Sequence, residues 1–471
     1  MKKSDLNREK SYNKKRVMLK NLPPELRQVN LDAAGIDIGA ESHFVAVSCD
    51  RSAECVREFK SFTEDLKELA KWLKECRITT VAMQSTGVYW IPLFDILESE
   101  GFEVRLVNPR HLKNVPGRKS DVLDCQWLQQ LHTYGLLSGS FRPEQKICEL
   151  RAYTRQRAGL VKQASSHIHH IQKALNMMNL QLQHVLSDVM GQTGLKMLRA
   201  IVAGERDPKK LAEYRDIRCK KSIREIEKSL EGNYLPEHVF KLRQELDLYD
   251  QFQRLLCECD QEIESCLKDF EVKVDIKEKP LMPVAKKKRR KSELYFDARE
   301  YLYKMVGVDL TRIDGLESYS VLKLIGEVGV DMNRWKGPEQ FASWLGLAPG
   351  TKISGGKKLS GKTKVSASRA AEVFRIAAYA LSGSSSALGA FSRRMKARLG
   401  APKAITATAH KIARLFYIMV RDKKEYEDTG ADYYEEIYRT RVIKNMQQKA
   451  KKFGFMLVKD PLETLAAVDV S

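Results

Sequence analysis

The chain of 471 residues reads as α/β plus α: an N-terminal α/β domain, a long helical region and a mostly helical C-terminal domain. Three observations predict this. Between residues 34 and 107, apolar runs of strand length form a meander and then alternate with helically spaced segments, the signature of a mixed sheet. From residue 144, apolar residues recur at three- and four-residue intervals over several heptads. From residue 299, compact helical segments resume, broken by one run dense in glycine and lysine.

Residues 1–30 are rich in Lys, Arg and Asn without periodicity and read as a basic N-terminal arm. The first domain covers 31–140. Ala34–Gly39 predicts a buried strand carrying one acid, Asp37. The polar turn Ala40-Glu41-Ser42 leads to a second strand, His43–Cys49, and a third, about Cys55–Phe62, completes the meander. Leu66, Leu69, Ala70, Leu73 and Cys76 mark an amphipathic helix. Ile78–Met83 is another buried strand, ending at Gln84-Ser85-Thr86-Gly87, a turn into a helix from Tyr89 to about Glu98. Phe102–Val107 is the fifth strand. A basic segment with Arg110, Lys113, Arg118 and Lys119 then enters a helix through Ser120, a residue suited to cap it. Asp121 and Asp124 are spaced i and i+3 and share one face of that helix.

The helical region, 144–270, carries two heptad stretches. One runs through Val161, Ala164, Ile168, Ile171, Leu175, Met178, Leu182 and Val185; the other through Val239, Leu242, Leu246, Tyr249, Phe252, Leu256, Cys259 and Ile263. A basic helical insertion, Thr193 to Asn233, separates them. The simplest arrangement is an antiparallel helical hairpin or coiled coil, serving self-association or spacing. Residues 271–298 read as a linker with the polybasic block Lys286-Lys287-Lys288-Arg289-Arg290-Lys291. A last domain spans 299–425 and a charged tail 426–471. In that domain Ile313-Asp314-Gly315-Leu316 is a tight turn before a helix, similar to a helix-hairpin-helix element whose turn amides bind phosphate. Pro338–Leu345, Ser368–Leu381, Ala387–Arg398 and Pro402–Val420 read as helices.

Composition narrows the partners. Charged residues make up 30% of the chain and the formal net charge is +21, which points to a polyanion, DNA or RNA. Nine scattered cysteines without Cys-x-x-Cys spacing argue against a disulfide framework and a structural zinc site. A charged N-terminus without an apolar core, and no apolar run of the roughly 18 residues a membrane span needs, predict a cytoplasmic protein, on the nucleoid when bound to DNA, with no membrane partner.

Leu345 to Lys364 holds five lysines and five glycines. Glycines admit close backbone approach and lysines neutralise phosphates. Ser354 sits in its middle, followed by Gly355 and Gly356, which leave the hydroxyl unshielded. Taken alone this is a basic surface loop; beside a nucleic-acid phosphate it is a candidate nucleophile. Lys352, Lys357, Lys358, Lys362, Lys364, Arg369, Arg393, Arg394 and Lys411 are the candidate phosphate contacts of this domain, and Arg118 and Lys119 those of the first. Ser360, Ser366, Ser368 and Ser384 to Ser386 are rival nucleophiles by composition, but they fall at helix starts and turns, where capping accounts for serine.

A strand Asp37 and a helical Asp121–Asp124 pair come together in a ribonuclease-H-like fold. Clustered carboxylates repel unless divalent cations neutralise them, and hard oxygen donors with phosphate substrates suit Mg²⁺ or Mn²⁺. Singly, each acid is accounted for by a turn or by the helix macrodipole. Jointly, on this strand order and in a basic chain, they predict a metal site.

Six motifs carry a family resemblance: GIDIG around Asp37, STGVYW from Ser85, GRKSDVLD from Gly117, WLGLAP from Trp344, SGGKKLSGKTK from Ser354 and LGAPKAITATAHKIAR from Leu399. With these, nearly the whole chain resembles the insertion-sequence transposases of the IS110 ("IS one-ten") family, in its "IS eleven-eleven" subgroup. These are DEDD-type, RNA-guided serine recombinases. The resemblance implies a RuvC-like first domain, a coiled coil and a C-terminal transposase domain. It implies that Asp37, Asp121 and Asp124 are the first, third and fourth metal-binding acids and that Ser354 is the nucleophile. The second acid belongs just before Ser85, where this chain has Gln84. The implied partners are element and target DNA, an element-encoded guide (bridge) RNA, and further copies of the chain as a dimer or tetramer. Two other readings stand beside this one: a Holliday-junction-type metal-dependent endonuclease with water as nucleophile, and a catalytically weak RNA- or DNA-binding protein, for which Gln84 is the best support.

Overall fold

The computed structural model describes residues 28–108, 120–137, 139–283, 292–364 and 368–458. Most of the N-terminal arm, Arg118 and Lys119, the polybasic block 286–291, Ser366 and the last residues of the tail lie outside them. The chain divides into two compact units, 1–142 and 143–471.

The first unit is a five-stranded mixed sheet. Its strands are β1 (Ala33–Ile38), β2 (Ser42–Ala46), β3 (Val56–Lys60), β4 (Thr80–Gln84) and β5 (Glu103–Val107), in the order β3-β2-β1-β4-β5. The meander β1-β2-β3 is antiparallel, and β4 and β5 run parallel to β1. Among the described residues, three helices belong to this unit: α1 (Thr63–Glu75), α2 (Trp90–Ser99) and α3 (Asp121–Thr133). Side chains alternate along the strands. Ala34, Ile36, Ile38, Val81, Met83 and Leu106 join Leu66, Leu69, Leu73, Leu93 and Leu97 of α1 and α2 in the main core. Burial of each such side chain is worth roughly 1.5–3 kcal/mol. The opposite face holds a far smaller apolar group, Ala82, Val107 and Leu128 of α3. Little apolar bulk therefore stands between α3 and the sheet.

One expectation is corrected here. Cys49 and Cys55 are disulfide-paired, with Cα atoms 4.9 Å apart. They flank the turn between β2 and β3, where Val47 N–H donates to the Cys55 carbonyl at 3.0 Å. A hairpin turn brings neighbours together without any framework spacing in the sequence.

The second unit begins with α4 (Gln145–Met177). Four shorter helices follow: α5 (Leu182–Val185), α6 (Gln192–Val202), α7 (Pro208–Ala212) and α8 (Ile223–Ser229). The chain then returns along α9 (Pro236–Lys268). Hydrogen bonds across the two long helices give the direction. Lys146 meets Asp269, Arg157 meets Asp260 and His167 meets Glu245, so α4 and α9 pair antiparallel within the chain. Of the second heptad set, Val239, Leu242, Leu246, Tyr249, Leu256, Cys259 and Ile263 are buried. The short helices close over the far end, with Met197, Leu198, Ile201, Leu211, Ile226 and Leu230 in one core with Ile171, Leu175 and Leu242.

The remainder comprises α10 (Ala298–Val306), α11 (Ser318–Val328), α12 (Pro338–Trp344), the hairpin β6 (Lys352–Ser354) and β7 (Lys357–Ser360), α13 (Arg369–Ala380), α14 (Ala387–Leu399), α15 (Ala401–Asp422) and α16 (Gly430–Lys452). Its centre is aromatic. Phe341 packs against Trp335, Trp344, Phe374, Phe416 and Tyr417, with ring centroids 5.0 to 6.5 Å apart. The stretch expected as a charged tail contains the 23-residue helix α16. No helix among the described residues is long and apolar enough to cross a membrane.

Candidate active site

Asp37 stands on β1, the central strand, and pairs with Phe44 of β2. Parallel pairing on the other side matches Ile36 with Met83. One step further along the same register lies Gln84, the last residue of β4. Partners in register share a face, so Asp37 and Gln84 lie side by side on the face that α3 covers.

Gly35 sets how close α3 comes. A Cβ added there would collide with the backbone N and Cα of Gln129 and the carbonyl oxygen of Cys125. Only a glycine at this mid-strand position permits that approach. Polar ties then fix the far end of the helix. Gln129 Nε2 donates to the Ala33 carbonyl at 3.4 Å and to Thr133 Oγ1 at 3.1 Å. The buried Thr80 hydroxyl donates to the Glu103 carbonyl at 3.1 Å and accepts from His132 Nε2, 2.9 Å away. That leaves Nδ1 of His132 as a buried lone pair with no partner among the described residues. Burial pulls the His132 pKa down to about 4, which keeps the imidazole neutral. At the near end, Ser120 caps the helix by accepting from Leu123 N–H, as its position in the sequence predicts.

This geometry brings the three aspartates into electrostatic contact. The Asp37 carboxyl is pushed up to about 6, first by burial and then by the charges of Asp121 and Asp124. Burial first, and then the Asp37 carboxylate, raises the Cys125 thiol in turn. The three do not close into a tight cage: among the described residues, the only His, Cys, Asp or Glu group with all donor atoms within 4.8 Å of one another lies elsewhere. A tight cage is not required by an ion such as Mg²⁺, which keeps several of its waters and takes one or two carboxylates directly. Mutual repulsion among hard oxygen donors is what such an ion relieves. Beside Asp37, Gln84 offers a neutral carbonyl and no charge.

Ser354 belongs to the second unit, and the run that holds it is a β-hairpin. Ser354 pairs with Lys357 across the two-residue turn Gly355-Gly356. Both glycines have positive φ, 55° and 73°, the conformation a two-residue type I′ turn requires. The Gly350 N–H donates to the Lys362 carbonyl at 2.9 Å, and a Pro349–Thr363 bridge closes the base. The base is anchored by the WLGLAP stretch. Gly346 N–H donates to Ser343 O and Leu347 N–H to Ala342 O, both at 3.0 Å, a Schellman motif that ends α12 and buries Leu345 and Leu347. Beyond that base the hairpin stands in solvent. Ser354 is exposed, its hydroxyl has no hydrogen-bond partner among the described residues, and Ile353 and Leu359 beside it are 66% and 68% exposed.

The expected phosphate contacts fall into two groups. Lys357, Lys358, Lys362, Lys364 and Arg369 are exposed on the hairpin, just after it, or at the start of α13. Lys352 is a β6 residue whose side chain lies outside the described atoms. Others are engaged within the unit. Arg393 donates to the Ser384 carbonyl, and Arg394 pairs with Glu435 and lies over the Tyr438 ring. The Lys411 ammonium sits between Phe391 and Tyr434, 4.6 and 5.0 Å from their centroids, and burial lowers its pKa. Among the rival serines, Ser368 and Ser386 cap α13 and α14, and Ser384 donates to Ser386. Sequence reasoning missed the Gly35 approach, though a glycine inside a buried strand was its signal. It also missed the aromatic seats of Arg394 and Lys411, signalled by the tyrosines of 433–438.

A mixed sheet carrying a carboxylate cluster, joined to a basic helical unit with an exposed serine hairpin, describes a DNA-processing enzyme, and the family comparisons specify its class. A DEDD-type transposase model of the IS110 kind matches residues 34–179, and the model of the transposase IS116/IS110/IS902 family matches residues 309–397. The chain therefore belongs to the IS110 family of transposases, enzymes that break and rejoin DNA. No curated protein matches it.

Proposed function

We propose that this transposase joins insertion-sequence ends to target DNA through a covalent Ser354–DNA intermediate, assisted by Asp37, Asp121 and Asp124. The observation that carries the reading is the raised Asp37 carboxyl under the charges of Asp121 and Asp124, on the face where the strand order β3-β2-β1-β4-β5 brings β1 and β4 together. That order supports a RuvC-like, ribonuclease-H-like first domain. Mg²⁺ or Mn²⁺, when bound, would neutralise the carboxylates and polarise a scissile phosphate.

The chain's own residues supply the rest. Ser354 Oγ attacks the phosphorus, its proton passes by way of a base to the departing oxygen, and the displaced strand leaves with a free hydroxyl, so a phosphodiester to Ser354 replaces the one within the strand. The free hydroxyl of another cut strand then attacks that ester, restoring a phosphodiester and returning the proton to Ser354. Lys357, Lys358, Lys362 and Lys364 bind neighbouring phosphates and counter the charge of the transition state. Asp37 and Ser354 belong to different units, so the reaction needs both at one phosphate; assembly of two or four copies on the nucleic acid would meet that need. Site choice is assigned to an element-encoded guide RNA, in keeping with the net charge of +21.

The test combines purified protein, Mg²⁺, the RNA flanking the element and a labelled junction of its DNA ends. A protease-sensitive covalent protein–DNA band on a denaturing gel, lost in Ser354→Ala and in Asp121→Ala, is expected. Cleavage without any covalent band, persisting in Ser354→Ala, would instead establish hydrolysis by water at the acidic site.

A further inference from the structure

Outside the acidic site, one cluster of ligand-type side chains converges. His167 and His170 are spaced i and i+3 on α4 and share a face. Glu245 faces them from α9. Its Oε2 lies 2.7 Å from His167 Nδ1 and 3.1 Å from His170 Nδ1. All three donor atoms lie within 4.8 Å of one another, a convergence no other group of His, Cys, Asp or Glu reaches among the described residues.

The surroundings hold these rings in place. His167 stacks on Phe252 at 5.1 Å and meets His170 edge-on at 5.8 Å. The side chains of His167 and Glu245 are 17% and 14% exposed, while that of His170 is 50% exposed, so the cluster is mostly shielded and opens to solvent chiefly at His170. Without an ion, two imidazoles compete to donate to a single carboxylate oxygen. With metal–ligand bonds of about 2.0–2.1 Å, a tetrahedral site spaces its donors about 3.3–3.4 Å apart. To meet it, the 3.1 Å spacing to His170 opens by about 0.2–0.3 Å and the 2.7 Å spacing to His167 by about 0.6–0.7 Å. Imidazole nitrogen with one carboxylate is a donor set for zinc-class ions rather than for Mg²⁺.

We propose that His167, His170 and Glu245 bind one divalent transition-metal ion of the zinc class, with water completing the coordination, and that this ion clamps α4 to α9. Each imidazole would offer its Nδ1 lone pair and keep its proton on Nε2. The clamp would sit beside Ile168, Ile171, Leu242 and Leu246, where the antiparallel pair enters the core of its far end. Its role is to lock the helical pair, and it is independent of the chemistry at Asp37 and Ser354.

The test uses the full, tag-free chain stripped with chelator and titrated with Zn²⁺ alone by calorimetry and Co²⁺ alone by visible absorbance. Wild type is compared with His170→Ala, Glu245→Gln and His169→Ala. His169 is an exposed neighbour outside the cluster and serves as the control. His170 is half exposed and Glu245→Gln is isosteric, so both variants keep their packing, which circular dichroism verifies. Wild type and His169→Ala should bind one more Zn²⁺ per chain than the other two, or bind it at least about tenfold more tightly. They alone should show tetrahedral Co²⁺ bands and a zinc-dependent rise in melting temperature. Zinc held by the free cysteines would survive in every variant. Equal stoichiometry, affinity and Co²⁺ spectra in all four proteins would overturn the proposal.

Discussion

Asp37 stands on the middle strand of a five-stranded sheet with a helix pressed against it, while Ser354 stands at the end of a two-stranded hairpin and is exposed among the described residues. The first setting is built from packing that cannot shift without moving the sheet: the Gly35 approach and the Thr80–His132 tie. The second rests on its turn and its base. On the proposed function, the difference follows from what each group must do. Like charges have to be held together against their own repulsion, which takes a stiff frame. A nucleophile that must meet the phosphate of a bulky polymer benefits from exposure and local mobility.

The largest effects should come from removing either chemical group. Asp121→Asn and Ser354→Ala should each lower strand joining by at least on the order of 10³-fold, read as joined product from labelled DNA. They should differ in another respect: filter binding should show Ser354→Ala retaining DNA affinity, because the neighbouring lysines are untouched.

Backbone substitutions sharpen the contrast. Gly35→Ala should destabilise the protein by about 1–3 kcal/mol through forced displacement of α3. Thermal melting should show it, together with a loss of joining. Gly355→Ala imposes a strain of roughly 1–2 kcal/mol at its left-handed φ. That strain falls on the hairpin alone, so joining should drop while the melting temperature stays near wild type.

Smaller still is the electrostatic share of the hairpin. Replacing Lys357 and Lys358 by alanine should reduce the slope of log affinity against log salt by about 0.9 for each phosphate that is no longer neutralised. The same substitution at Lys411 should instead lower stability, because its ammonium is seated between two rings.

Much of this was legible in the sequence, and the parts that were not share a cause. The strands along the chain, the Ser120 cap and the antiparallel helical pair follow from local patterns, which burial on one face enforces. The placement of Asp37 and Asp121 on one face of the sheet depends on how α3 crosses it. Only the glycine in GIDIG hinted at that crossing. The hairpin was read as a loop because lysine and glycine content masked the signal of two glycines between alternating residues. The intrachain seats of Arg394 and Lys411 were not legible, because charge is visible in a sequence and its partners, Glu435 and the rings of Tyr434 and Tyr438, are not.

The smallest effect is the pH dependence of the metal-free protein. With the Asp37 carboxyl raised from 3.8 to about 6, its stability contribution is fully present below the ordinary carboxylate value and is lost as pH rises through about 6. His132 acts in the opposite sense. Its pKa is lowered from 6.5 to about 4, so its contribution is present above 6.5 and is lost as pH falls through about 4. Asp37→Asn should leave only the second slope, and Mg²⁺ should stabilise wild type at neutral pH more than this variant. Gln84→Glu should add a fourth charge, lowering the metal-free melting temperature at neutral pH and raising the Mg²⁺-induced gain.

The most direct test maps the covalent bond itself. The trapped protein–DNA complex is digested with protease and nuclease, and the peptide that retains a nucleotide is sequenced by mass spectrometry. A serine-linked mechanism predicts a nucleotide on Ser354, with none on Ser360 or Ser368, and no such peptide from Asp121→Asn. A nucleotide on another residue, or cut DNA ends with no modified peptide at all, would contradict it.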